Sequence, residues 1–306
     1  MRAVSAVQNY VRETAPRGRE TARVGPFLAT FTPGTDHPML NYAIPDNGAR
    51  PSPAQIVDLT EAFRCRGLLP RLEYFPEAAP ALEHLLVNAG YTLERRTPLM
   101  VCAPDDRVDV PPPHGVAIGQ PGSDDDVRRM RSAQNAAFGE SPDITDEEVE
   151  EAKAAMAGGV AVLAADLTTG EVIGGGFALE VVDGAAEIAG IGVLETYRRR
   201  GVAAAITACL TRGAHQRNAH TVFLTAGGDG AERVYARVGY RTVGACLHFS
   251  NPSPRACHSR PRHRGQPDRE VHSAPLGACD LLRADPRTAE TAANEAVVTA
   301  LSEHDE

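Results

Sequence analysis

The segment from Ile188 to Ala203 reads Ile-Ala-Gly-Ile-Gly-Val-Leu-Glu-Thr-Tyr-Arg-Arg-Arg-Gly-Val-Ala. Its apolar start, rich in small residues, predicts a strand ending at Leu194, and a short turn leads into a predicted helix at Gly201–Gln216. The first N–H groups of a helix have no intrahelical partner, and the helix dipole is positive there. A pyrophosphate binds such a terminus when no side chain blocks its approach. Because Gly201 and Ala203 leave that approach open, the segment predicts a binding site for a phosphorylated ligand.

The predicted binding residues come from the strand, the turn and the helix together. A free strand edge beside the helix can pair with an extended, amide-bearing ligand by strand addition. Arginines in the turn add positive charge and hydrogen-bond donors for phosphate oxygens. The candidate ligand-binding residues are Ile191, Gly192, Val193, Arg198, Arg199, Arg200, Gly201, Val202, Ala203 and Ala204.

The chain divides into four parts by composition and pattern. Residues 114–250 show strands in a meander and then alternating helices and strands, which predicts an α/β mixed sheet with helices on both faces. Residues 1–104 form an earlier region whose first predicted element is a strand at Phe27–Phe31, and the charged and proline-rich residues 105–113 are typical of a linker. Residues 251–306 are rich in Pro, Arg, Ser and His, so we expect a largely disordered tail with a short helix at Ala289–Leu301 at most.

The two regions match each other at an offset of 149 residues. Gly90–Tyr91 then falls on Gly239–Tyr240, and the predicted helix Pro53–Cys65 falls on Val202–Ala214. One strand–helix–strand unit resembles another by chance, but here the order and spacing of several elements agree without a gap. The pattern therefore favours an internal duplication.

The motif Arg198-x-x-Gly201-x-Ala203 after such a strand resembles the acetyl-coenzyme A motif of the GNAT acyltransferase superfamily. The downstream segment Ala231–Tyr240 is similar to the late helix of that family. The resemblance covers residues 114–250 in full and residues 27–102 in part. It implies two tandem GNAT-like domains, with acetyl-CoA as cosubstrate in the gap between two parallel strands of the second.

The resemblance also implies direct acyl transfer from coenzyme A to an amine in a ternary complex. That reaction needs a base for the ammonium group and an acid for the leaving thiolate. Tyr235 stands where the family usually has its tyrosine acid; otherwise it is a core aromatic residue. Glu187, at the start of the central strand, is the candidate base or else an exposed strand-end residue. A base acting through water, Glu180 and Asp183 are the alternatives.

The residues that carry this chemistry are absent from the first region. At the positions equivalent to Arg198, Gly201 and Tyr235 stand Ala49, Ser52 and Leu86. Prolines at positions 51 and 53 also remove two N–H groups where phosphates would bind. We therefore interpret the first region as a degenerate GNAT-like half that shapes the substrate pocket or packs on its partner.

Composition limits the function classes. A net charge of −9 and a pI of about 5.6 argue against nucleic-acid binding. No apolar run is long enough for a membrane span, so we expect a cytoplasmic protein. The spacing of the cysteines and histidines matches no metal motif, so no metal is expected. The expected acceptor is a small-molecule amine or a peptide amine, and the expected assembly is a monomer or a homodimer.

Two other functions are compatible with the sequence. The chain could bind coenzyme A as a non-catalytic sensor or scaffold, because a fold does not determine a function. It could also transfer an aminoacyl group from charged tRNA, for which the arginine cluster within Arg255–Arg264 is the support and the acidic balance is the objection.

Overall fold

The computed structural model describes residues 2–227 and 229–252. The tail beyond residue 252, with the helix expected at Ala289–Leu301, lies outside these residues. The elements of the first region are α1 (Arg2–Thr14), β1 (Glu20–Val24), β2 (Phe27–Phe31), β3 (Tyr42–Pro45), α2 (Pro53–Arg64), β4 (Arg71–Tyr74), α3 (Leu82–Asn88) and β5 (Thr92–Cys102). The elements of the second region are β6 (Val116–Gly119), α4 (Asp124–Phe138), α5 (Asp146–Met156), β7 (Val160–Asp166), β8 (Val172–Ala178), β9 (Ala185–Val193), α6 (Val202–Gln216), β10 (Thr221–Thr225), α7 (Asp229–Ala236) and β11 (Arg241–Ser250).

The eleven strands of the described residues form one continuous sheet in the order β1-β2-β3-β4-β11-β5-β10-β9-β8-β7-β6. Chain order is broken at the centre, where β11 lies between β4 and β5, and β5 lies between β11 and β10. The two regions therefore exchange their last strands: β11 of the second region lies next to β4 of the first, and β5 of the first region lies next to β10 of the second. The mixed sheet with helices on both faces that the sequence predicts is confirmed.

The two exchanged strands are related by a local two-fold axis. Strands β5 and β11 pair antiparallel, and Thr97 stands opposite Cys246. These two residues are 149 positions apart, and the Thr97 hydroxyl donates to the Cys246 carbonyl over 3.5 Å. Each is thus the repeat equivalent of the other, so the tandem arrangement inferred from the sequence offset is confirmed.

The parallel strands β9 and β10 separate soon after they meet. Their paired residues run only from Ala185–Glu187 against Thr221–Phe223, so the rest of β9 diverges from β10. Helix α6 packs on one face of β6–β10, and α4 packs on the other face against β7–β9. In the first region, β3 and β4 make a single parallel pair, Ala43 with Leu72. The gap that opens beside the end of β9 is where the candidate site lies.

Two elements before Phe27 were not predicted. Helix α1 packs across β9, β10 and β11 of the second region, and β1 pairs with β2 at the edge of the sheet. The helix buries Val4, Val7 and Tyr10, which recur at helical spacing. That period is visible in the sequence, since only small or polar residues (Ser5, Ala6, Gln8 and Asn9) lie between the three.

The strand that the sequence predicts at Phe27–Phe31 is confirmed, and the helices predicted at Pro53–Cys65 and Gly201–Gln216 agree with α2 and α6 within one residue. Strand β8 ends at Ala178. After Ala178 the chain enters a tight turn with positive φ at Asp183 and Gly184, which ends the regular pairing. None of the described helices has the length and apolar character needed to cross a membrane.

Candidate coenzyme and acyl-transfer site

A cleft of about 750 Å³, including its open mouth, lies between the end of β9, the start of α6 and helix α7. It brings together nine of the ten candidate ligand-binding residues; Arg200 is the exception. Tyr235 also lines it. The lining residues that the sequence did not indicate are Ala137, Phe138, Tyr197, Ala231, Val234 and Arg237. They come from α4, α7 and the turns, so their proximity arises only through folding.

The helix α6 begins with its N–H groups directed at this cleft. Gly201 is the N-cap residue, has φ +87°, and carries no side chain to cap the first turn. The N–H groups of residues 202–204 have no acceptor within a helix that begins here, because the first bond to Gly201 is made by Ala205 over 3.1 Å. Arg199 and Arg237 add positive charge to the cleft wall. Donors, helix dipole and charge together suit a pyrophosphate.

Arg198 lines the cleft and also holds the backbone around it. Its guanidinium donates to the Val193 carbonyl over 3.1 Å and to the Ala137 carbonyl over 2.9 Å. Partial burial lowers the pKa of this guanidinium. The side chain therefore ties the end of β9 to the end of α4 and holds the turn before α6. Arg200 lies over the Tyr197 ring at 5.1 Å from its centroid, outside the cleft lining.

Replacement of Gly201 by alanine is expected to cost about 1–2 kcal/mol of folding stability, because a residue with a Cβ is strained in the left-handed region. The nearest atom to an added Cβ is Pro113 Cγ at 3.7 Å, so strain and not collision sets the cost. We also expect weaker acetyl-CoA binding, since relief of the strain would redirect the N–H groups. Thermal unfolding and calorimetric titration measure both effects. Gly119→Ala is the matched control, because its φ is ordinary and its Cβ would meet nothing within 4 Å; equal losses in the two variants would contradict the assignment.

Tyr235 lies on α7 with its side chain in the cleft wall. Its ring packs 6.2 Å from that of Tyr240, and within the described residues its hydroxyl has no hydrogen-bond partner. Burial raises the pKa of Tyr235 to about 12, so the phenol stays protonated at physiological pH. A protonated hydroxyl without a protein partner is free to donate a hydrogen bond to a group in the cleft.

Glu187 lies on β9 opposite Phe223, in the last pair before β9 and β10 separate. Burial first, and then the negative charge of Glu73, raise the pKa of Glu187 to about 7. The Tyr10 ring packs edge-on against Phe223 at 5.1 Å, so α1 covers this part of the sheet. Glu187 is not among the residues that line the cleft around Tyr235. The two candidate catalytic groups are therefore separated: Tyr235 lies in the cleft wall, and Glu187 lies earlier on β9, at its last pair with β10.

The alternative carboxylates are placed less favourably for proton transfer. Glu180 is half-exposed and pairs with Arg17 at 2.6 Å. Asp183 sits in the turn before β9 with φ +48°. Neither lines the cleft. Glu187, by contrast, lies beside the strand gap, and its pKa is raised to about 7.

The equivalent place in the first region cannot hold phosphate groups in the same way. Ser52 and Gln55 form a capping box, in which the Gln55 N–H donates to the Ser52 hydroxyl and the Ser52 N–H donates to the Gln55 side chain. Pro53 occupies the first helical position. Leu82 and Leu86, the counterparts of Ala231 and Tyr235, are completely buried in the apolar core. In the first region, side-chain capping therefore occupies the N–H groups at the helix start, and buried leucine side chains fill the space that is a cleft in the second region.

Comparisons with known proteins agree with this geometry. Residues 127–240 match the acetyltransferase (GNAT) family profile. A GCN5-related N-acetyltransferase from Kribbella flavida is 27% identical, with a TM-score of 0.68 over 82% of this chain and 96% of its own. One from Sphaerobacter thermophilus is 18% identical, with a TM-score of 0.58 over 76% of this chain and 80% of its own. A tandem GNAT protein from the clavulanic acid biosynthesis pathway is 12% identical, with a TM-score of 0.55 over 82% and 89%. No curated protein matches significantly.

The second region therefore contains a domain of the acetyltransferase (GNAT) family, at residues 127–240. The chain as a whole has the tandem GNAT fold, in which a first, degenerate half completes the sheet of the second. Within the part of the chain that the structure describes, no group of three or more His, Cys, Asp or Glu side chains is placed to hold a metal ion.

Proposed function

We propose that this protein is an acetyl-CoA-dependent N-acetyltransferase that moves the acyl group directly to an amine in a ternary complex. The observation that carries the proposal is the shared cleft of Tyr235 and the uncapped start of α6. One end of that cleft suits the phosphates of a coenzyme, and the other presents a protonated hydroxyl to the reacting group. The acceptor would be a small-molecule amine or a peptide amine.

The residues around the cleft fit coenzyme A. The N–H groups of 202–204 and the charges of Arg199 and Arg237 would hold the pyrophosphate. The unpaired edge of β9 from Ile191 to Val193 would hydrogen-bond the extended pantetheine arm. When bound, the coenzyme supplies the activated thioester. Binding, orientation and proton transfer fall on backbone and side-chain groups of the protein.

Two protein groups would move the protons. Glu187 would accept the proton of the ammonium group, directly or through a water molecule, which leaves a neutral amine to attack the thioester carbonyl. Tyr235 would donate a hydrogen bond and then its proton to the sulfur as the carbon–sulfur bond breaks. The nitrogen loses its second proton as the amide forms, and this proton returns to the Tyr235 oxygen directly or through water, while Glu187 releases its proton to solvent. The acyl group thus passes to nitrogen, the thiol is released, and no covalent enzyme intermediate forms.

The proposed roles predict a defined pH dependence. Since the raised pKa of Glu187 is about 7, kcat/KM should rise roughly tenfold per pH unit below 7 and level off above it. Tyr235 should add no descending limb below about pH 11, because its pKa is raised to about 12. In Glu187→Gln the limb near pH 7 should disappear, along with most turnover. An unchanged limb in that variant would remove Glu187 from the mechanism.

Although Glu187→Gln should lose turnover, it should gain folding stability at alkaline pH. Ionisation of a carboxyl whose folded pKa is raised costs stability once the pH exceeds its unfolded pKa, and the full cost is present above the folded pKa of about 7. Glu187→Gln should therefore be more stable than the wild type at pH 8, and this gain should shrink as the pH falls toward 4.5. Thermal unfolding at a series of pH values measures the difference.

The proposal is tested by combining binding with turnover. Calorimetry should show acetyl-CoA binding to the full chain, and a free-thiol readout with a panel of small amines and peptide N-termini should reveal the acceptor. Binding without turnover for any acceptor would favour a coenzyme sensor. Absence of binding would overturn the proposal altogether.

A further inference from the structure

The helix α4 presents buried polar side chains to the sheet beneath it. Gln134 is completely buried, and Arg131 and Asn135 are only 5% and 6% exposed. A buried amide or guanidinium costs free energy unless its hydrogen bonds are made. Their partners therefore show what these residues hold in place.

Gln134 links the helix to β9. Its Nε2 donates to the carbonyl of Gly190, and its Oε1 accepts from Arg131 Nη1 over 3.4 Å. A carbonyl can only accept and a guanidinium can only donate, so the two partners impose the same orientation on the amide. Gln134 is thus locked as a donor toward Gly190.

Gly190 lies in a β-bulge. The register between β8 and β9 shifts between the pairs Gly175–Gly192 and Phe177–Ala189, which leaves Gly190 and Ile191 opposite one residue of β8. Gly190 has φ +63°, and an added Cβ would lie 3.0 Å from Gln134 Nε2 and 3.1 Å from the Phe177 ring. The bulge is therefore tightly enclosed on the side of α4.

The bond from Gln134 also sets the direction of the next N–H group. In a trans peptide the C=O and the N–H point in opposite directions. Since the Gly190 carbonyl points toward α4, the Ile191 N–H points away from it. Ile191 lines the coenzyme cleft on the other side of β9 and packs with the core beneath α6.

In acyl transfer, negative charge develops on the carbonyl oxygen, and a backbone N–H in fixed orientation stabilises it. We propose that Gln134, held by Arg131, is a positioning residue that orients the Ile191 N–H as a donor to the acyl carbonyl oxygen. This inference rests on the proposed acetyltransferase function. It assigns a role to Gln134 and Arg131, two buried residues that take no part in the proposed coenzyme binding or in the proposed proton transfers.

Two substitutions of Gln134 distinguish its hydrogen bond to the Gly190 carbonyl from its hydrogen bond with Arg131. Gln134→Met keeps the side-chain length and removes both hydrogen bonds. Gln134→Glu keeps an acceptor for Arg131 but loses the donor to Gly190 at pH 8, where a carboxylate beside a guanidinium is ionised. Asn135→Ala is the matched control, since Asn135 is a buried amide of the same helix that donates to the Ser141 carbonyl over 3.0 Å.

Both Gln134 variants should lower kcat by about 10- to 100-fold, the effect expected of a misplaced catalytic group, with little change in acetyl-CoA affinity. Asn135→Ala should retain wild-type kcat. If Gln134→Glu kept full activity, the pair with Arg131 and not the bond to Gly190 would be the relevant one, and the inference would fail. Thermal unfolding identifies any variant that does not fold, and the second variant then serves for the comparison.

The amide resonance of Ile191 gives a readout independent of turnover. In the wild type it should differ between the acetyl-CoA and coenzyme A complexes, because only the former offers an acyl carbonyl, and the difference should vanish in the Gln134 variants. Acetyl-CoA binding without that difference in the wild type, or with the difference intact in the variants, overturns the inference but leaves the proposed function standing. Absence of acetyl-CoA binding to the wild type overturns both.

Discussion

Tyr235→Phe is expected to lower kcat by about 10²- to 10⁴-fold, the usual contribution of a general acid. The substitution removes one oxygen atom whose hydroxyl has no partner within the described residues, so the protein loses no internal hydrogen bond. Acetyl-CoA affinity and thermal stability should therefore stay close to wild type. Steady-state kinetics with the acceptor found by the amine panel, together with calorimetry, measure both quantities.

The neighbouring tyrosine provides a matched control. The Tyr240 hydroxyl is buried and hydrogen-bonded to Thr211 at 2.8 Å, and Tyr240 does not line the cleft. Tyr240→Phe should reduce folding stability by about 1 kcal/mol, since it breaks a buried hydrogen bond, and should leave kcat unchanged. The opposite pattern, with turnover lost in Tyr240→Phe and retained in Tyr235→Phe, would exclude Tyr235 as the acid.

A fragment of residues 105–252 alone is expected not to fold into a stable monomer. In the intact chain β10 and β11 both pair with β5, which belongs to the first region. Removal of β5 exposes the surfaces that pack against Leu99, Met100 and Val101, three side chains that are at most 3% exposed. At about 1.5–3 kcal/mol for each side chain, the loss is roughly 5–9 kcal/mol. That is comparable with the whole stability of a typical domain, about 5–15 kcal/mol.

Separation of the halves also leaves β10 without one neighbour and β11 without both of its neighbours, and such unpaired strand edges favour aggregation. Co-expression of residues 2–104 with residues 105–252 is the matched control, because it breaks one peptide bond and keeps every strand. The pair should co-purify, unfold cooperatively and retain acetyl-CoA binding. A soluble, cooperatively folding monomer of residues 105–252 on its own would contradict the structural role assigned to β5.

The sequence was informative where function depends on backbone conformation and local spacing. The positions of Gly201 and Ala203 after an apolar strand predicted the helix terminus of the cleft, and the structure gives Gly201 a φ of +87°. The role of Arg198 was less visible. Its contacts with the Val193 and Ala137 carbonyls depend on how α4 packs, and a charged residue near a phosphate motif suggests ligand binding first.

Long-range features of the site were beyond the reach of local patterns. The residues of α4 that line the cleft carry no distinctive motif, and helix α1 was missed although Val4, Val7 and Tyr10 recur at helical spacing. The raised pKa of Glu187 arises from burial and from the charge of Glu73, which comes from the other region. Such an environment depends on pairings between segments more than 100 positions apart.

The sequence by itself determined the order of helices and strands in the second region, the start of α6 after Gly201 and the 149-residue repeat. Each of these depends on neighbours within a few turns of chain, or on a comparison of the chain with itself. The exchange of β5 and β11 was settled only by tertiary packing. The last strands of the two repeats, β5 and β11, can each pair within their own half or across the local two-fold axis. Both arrangements use the same alternation of apolar residues. The antiparallel pairing of Thr97 with Cys246 shows which choice the chain makes, and it makes the degenerate half an integral part of the sheet that carries the site.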